Sequence, residues 1–198
     1  MTSTDICNIA LSYLSKGRIM SMTEEKSEEA RQCALHYETC RKRLLSSYTW
    51  GFAKSVVKLS RLDVELPGWD YVYAFPAQCL RVNLLFDSEN AKEKENDRTD
   101  YETVNIGTTK ALAADIENAW AEYIRDEKDP DRFSFEFTEA LARLLASNMA
   151  MVLTGNAQLM EVNRMYMRES IQEAKNISAT ERERKTEYPT TYADARFA

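Results

Sequence analysis

Cys33, His36 and Cys40 are the residues of this chain whose types and spacing come nearest to a site of chemistry. Spaced i, i+3, i+7, they put two thiols and an imidazole on one side of a helix, part of a zinc-binding set. Structural zinc needs four ligands, though, and the sequence holds no CxxC pair, so Cys7 or Cys79 would have to be brought up by the fold. Free cysteine packs as a small hydrophobe and is among the most buried residue types, so packing without metal is the expected role of both thiols. His36 is the only histidine, which removes Ser-His-Asp triads and histidine-ligated zinc hydrolases. Gly107 and Gly155 stand singly, as turn glycines do, and belong to no phosphate-cradling loop. Glu24, Glu25, Glu28 and Glu29 stand where a helix begins and favour its macrodipole. The expectation is a protein that is not an enzyme, with no catalytic residue, no cofactor and no metal.

Composition narrows the class. A chain of 198 residues with 44% hydrophobic content can bury one proper core without staples. Its apolar runs are a few residues long and its first residues lack a basic, signal-like start, so no membrane span and synthesis in the cytoplasm are expected. Four cysteines fit a reducing compartment. Net charge is −6, from 32 acidic and 26 basic side chains, with no Lys/Arg block long enough to neutralise a run of phosphates. Sequence-specific duplex binding is thereby disfavoured, while an acidic channel through which DNA slides is compatible with that charge. One weak basic cluster, Arg41, Lys42 and Arg43 with Lys54, Lys58 and Arg61, supports the alternative of a small intracellular helical DNA-binding or regulatory protein.

Helical periodicity predicts elements over about 3–16, 24–47, 133–153 and 157–177. The first carries Ile6, Ile9, Ala10, Tyr13 and Leu14 after a Ser3/Thr4 cap and stops at Lys16-Gly17; the second starts at one of three caps, Ser21, Thr23 or Ser27. The last two fold back about Thr154-Gly155-Asn156. Phe137, Leu141, Leu144, Leu145, Asn148, Met151 and Val152 form the core face of one, and Leu159, Met160, Met167, Ile171, Ala174 and Ile177 that of the other. Between about 50 and 126 the residues turn β-branched and aromatic, giving strands at Ser55–Leu59, Cys79–Phe86, Tyr101–Asn105 and Ala119–Arg125, with turns at Pro67-Gly68 and Asn105-Ile106-Gly107. Leu112, Ile116, Ala119, Trp120 and Tyr123 fit a helical template equally well. Asp87–Asp100, with nine charged residues in fourteen, reads as a solvated β-hairpin tip, either a solubilising loop or a contact to a partner. The fold expected is α+β: mainly an α-helical bundle of four helices with an inserted antiparallel β region, residues 1–177 forming one domain. Residues 178–198 make an extended C-terminal tail, a frayed terminus or, through Tyr188, Tyr192 and Phe197, a set of aromatic anchors.

Four pieces in this order resemble a known family: CNIALSYLSKGRI; EEKSEEARQCALHYETCRKRLLSSYTWGFAK; PGWDYVYAFPAQCLRVNLLF; and EYIRDEKDPDRF with the two helices that follow it. The chain is similar along nearly its whole length to the tail tubular protein A family of short-tailed bacteriophages. The most telling pieces are SYTWGFA at Ser47–Ala53, Trp69–Val82 with Pro76 ahead of LRV, Asp129-Pro130 leading into Phe133–Leu145, and the turn at Leu153–Asn156. The resemblance implies a structural head-to-tail adaptor of the virion, a twelve-membered homo-oligomeric ring between portal protein and tail nozzle, made in the host cytoplasm, with genomic DNA passing through its bore unread. It further implies that Ala119–Arg125 is a strand and that the tail, with Tyr188, Tyr192 and Phe197, reaches the portal. Lys92, Lys94 and Arg98 on the charged tip are the candidates for nozzle or lumen contact. The charged tip and the EYPTTYADARFA ending depart from the family pattern.

Overall fold

The structure, a computed structural model, describes residues 1–87 and 100–181, with side chains as far as Ile177. Helix α1 spans Ser3–Ser12, α2 Glu28–Ser47, α3 Phe135–Thr154 and α4 Ala157–Glu181. Each start has a side-chain cap that satisfies otherwise orphaned N–H groups. Thr2 and Asp5 form a reciprocal capping box on α1, Ser27 caps α2, Ser134 caps α3, and the Asn156 carboxamide accepts from the N–H groups of Gln158 and Leu159. The ends are also local. Ser15, in the left-handed region at φ 55°, ends the first helical segment before Gly17 is reached, whereas Gly155, at φ 65°, ends α3 where the sequence placed the turn.

Among the described residues seven strands lie between α2 and α3: β1 Lys54–Lys58, β2 Arg61–Leu62, β3 Tyr71–Ala74, β4 Cys79–Asp87, β5 Tyr101–Ile106, β6 Thr109–Ala114 and β7 Ala119–Arg125. They form two antiparallel sheets, of order β1-β7-β4 and β2-β3-β6-β5. The strand expected at Ala119–Arg125 has those bounds, and the segment left open between helix and strand is β6 followed by β7.

The expectation of a four-helix bundle carrying a β insertion is overturned: the fold is α+β, with four helices and two sheets among the described residues. The helices do not form a bundle because α3 is a hub. It packs against α1, α2 and α4 and is buried almost all round, with Ala140, Ala142, Ala146 and Ala150 letting its neighbours approach closely. Helix α1, ten residues long, is too short to be a full bundle member. The sheets in turn hold a core of their own, built on Leu59, Tyr73, Leu85, Leu112, Ala119, Ala121 and Tyr123. Strand β7 joins the two cores: alternate residues Ala119, Ala121 and Tyr123 belong to the sheet core, while Ile124 belongs to the helical one.

Two further expectations change. Residues 88–99 of the expected charged tip lie outside the described residues; the strands on either side, β4 and β5, pair with β7 and β6 in different sheets and not with each other. Met151 and Val152, expected in the core, are exposed at the last turn of α3, where the hub emerges from its neighbours. Ile177 is likewise half exposed.

Candidate functional site

The end of α2, the β7–α3 connector and the last turns of α4 meet at one junction. Its aromatic half is the SYTWGFA segment. Arg81 of β4 donates to the Ser46 carbonyl at 2.9 Å and to the Thr49 hydroxyl at 3.0 Å, placing a cation where the last carbonyls of α2 point. The Trp50 indole N–H donates to the Leu44 carbonyl at 2.9 Å. Thus anchored, the chain turns sharply through Gly51–Ala53 and stacks Trp50 and Phe52 on the start of α3. Trp50 meets Phe137 edge-on at 4.9 Å, Phe52 meets Phe133 at 5.7 Å, and Phe133 meets Phe137 at 4.8 Å.

The polar half is built on Arg41, whose side chain is 0% exposed. Its guanidinium pairs with Asp126 at 2.7 Å and Glu38 at 2.8 Å and also donates to the Glu127 carbonyl. Glu127 then folds the connector: its carboxylate accepts the N–H groups of Lys128 and Asp129, both at 3.1 Å, and pairs with Arg125 and with Arg132 at 3.5 Å. Burial alone would raise the Glu127 pKa; the hydrogen bond from the Asp129 N–H and the Arg125 guanidinium outweigh it and hold it below the ordinary value.

Two clefts open on this junction and share Arg132. One, of about 280 Å³, is lined by Gln78, Arg125, Asp126, Glu127, Lys128 and Asp129. The other, of about 240 Å³, has Trp50, Phe52 and Ala174 in its walls and Ser134, Glu136 and Ile177 beside them. Both lie below the ~300–1,000 Å³ of small-molecule sites, a size that suits the docking of a side chain.

The residues singled out for chemistry are placed elsewhere. Cys33 and Cys40 are buried, the first thiol 3.8 Å from the Met149 sulfur and the second receiving the Asn148 amide at 3.1 Å, while His36 is only half buried. Among the described residues no three His, Cys, Asp or Glu side chains are grouped to hold a metal ion. Burial pushes the Cys40 thiol up to about 11, far from a reactive thiolate. Of the weak basic cluster, Arg41 is buried against Asp126, while Lys42 pairs with Asp126 and Lys54 with Glu122 at the surface. Tyr188, Tyr192, Phe197, Lys92, Lys94 and Arg98 lie outside the described residues. Sequence reasoning missed the clefts around Arg132, although the alternation Tyr48, Trp50, Phe52 and the pair Phe133, Phe137 carried their signal. No protein-family model matches the chain, and no match is found among curated proteins.

Proposed function

We infer that this protein is a structural head-to-tail adaptor of a short-tailed bacteriophage, a ring subunit joining portal to tail nozzle and leaving DNA a passage. The observation that carries the reading is the ordered family resemblance, whose separate pieces SYTWGFA and DPDRF meet in one aromatic and ionic junction. Two further features support it. Large apolar side chains are bare on different elements, with Leu35 on α2, Met151 and Val152 at the tip of α3 and Met165 and Tyr166 on α4, as a subunit with two unlike lateral faces requires. The net charge of −6 suits a conduit that must not hold DNA. In this reading the tail with Tyr188, Tyr192 and Phe197 is the portal contact, and Lys92, Lys94 and Arg98 belong to the segment facing nozzle or lumen.

Incubation with portal-bearing heads, followed by electron microscopy of the vertices, tests it: rings at the vertex are expected, and bare vertices at saturating protein would sink the reading. The regulatory alternative predicts a salt-sensitive gel shift with duplex DNA instead. Burial of Arg41 and pairing of Lys42 and Lys54 weigh against that outcome.

A further inference from the structure

The aromatic cleft is open on a surface that already shows an uncovered ring. Phe135, the first residue of α3, is 81% exposed between Ser134 and Glu136, which both line the cleft. Trp50 and Ala174 are buried within it, and Arg132 and Glu136 give it charges of both signs. A space of about 240 Å³ fits one ring side chain, and an aromatic floor with polar margins favours a ring that ends in a hydroxyl.

We propose that the occupant is Tyr188 of the same chain, so that the C-terminal segment is parked on the α3–α4 junction until a partner claims it. The place where the described chain ends argues for this. Ile177 of α4 lines the cleft and α4 ends at Glu181, one helical turn or ~6 Å further on. Tyr188 is seven residue steps from Glu181, a reach of at most ~23 Å and ample for a return to the cleft. Glu187, next to Tyr188, has a charge complementary to Arg132 of the cleft, and this complementarity selects Tyr188 over Tyr192, which follows Thr191.

The proposal stands without the adaptor reading, and its test uses the isolated full chain with no portal present. A photoreactive benzoylphenylalanine placed at position 188 should form an intrachain adduct with peptides holding residues 50–52 or 132–136, at a yield independent of protein concentration. An adduct elsewhere, no adduct, or adducts mainly between chains would each overturn it. In parallel, full-length Tyr188→Ala should exchange its backbone amides at residues 50–53 and 132–136 several-fold faster than wild type, while Tyr192→Ala should match wild type. Equal protection in all three proteins would equally end the idea. A protein that gives the intrachain adduct and still fails to join heads would sink the adaptor reading and leave this one intact.

Discussion

Arg41 shows how one side chain decides the placement of an element. A guanidinium with 0% exposure is costly to bury, and it is stable here because Asp126, Glu38 and the Glu127 carbonyl surround it. Arg41→Ala should therefore destabilise the protein by about 3–5 kcal/mol, mostly by stranding the Asp126 carboxylate, and Asp126→Asn added to it should recover part of that loss. Urea midpoints at constant slope measure both. Glu127 makes the same connection sensitive to acid. Its folded pKa is depressed below 4.5, so its contribution is fully present above 4.5 and is lost as pH falls through the lower folded value. Glu127→Gln should accordingly lower stability at pH 7, and the gap from wild type should close as the pH falls from 4.5 through the lower folded value. A gap that widens in acid would show that the carboxylate is not the group at work.

At the scale of elements, the Gly155 turn and the Ser27 cap were legible in the sequence, whereas α1 is capped by Thr2 and not by Ser3 or Thr4, and the partners of the helices were not legible. Gly155 was readable because only a left-handed residue turns α3 into α4, and its Cβ position is open, so Gly155→Ala should cost about 1–2 kcal/mol from backbone conformation alone. Thermal melts should show Gly155→Asn losing less, since asparagine visits that region more readily. Edges were legible where β-branched or aromatic residues cluster, as at Ala119–Arg125. Strand β6, TKALAA, was not, because its alanines have low strand propensity and are drawn into the sheet by burial between neighbours. Strand β3, at four residues, is too short for alternation to be seen, and β2 has only two. Missing these three strands hid the second sheet, and with it the fact that β4 and β5 belong to different sheets. The amphipathic stripes of α3 and α4 were read correctly for most positions. Nothing in a periodicity says which neighbour covers a stripe, so α3 as a hub ringed by alanines was beyond it. The same holds for the candidate site: the aromatic and charged residues around Arg132 were visible, but their meeting depends on Arg41 drawing the β7–α3 connector onto α2.

The described residues form two cores, and strand β7 at the centre of its sheet belongs to both, which sets how the molecule should unfold. If the sheets and the helices were separate folding units, a chain of 198 residues would melt in two steps. Strand β7 argues for one step, because it is the middle strand of its sheet, supplies Ala119, Ala121 and Tyr123 to one core, and supplies Ile124 to the other. Tyr101 adds a second tie, its hydroxyl donating from β5 to the Val82 carbonyl of β4 at 3.1 Å, across the two sheets. Leu112→Ala in the sheet core and Leu145→Ala in the helical core should each cost about 2–5 kcal/mol, and each should shift the whole transition rather than part of it. Far-ultraviolet circular dichroism, dominated by the helices, and fluorescence of Trp120 on β7, with Trp50 and Trp69 replaced by Phe, should then give coincident midpoints in every variant. A Leu112→Ala protein whose Trp120 signal is lost well before its helical signal would show that the sheets unfold alone, and that β7 joins the cores in space without coupling them in energy.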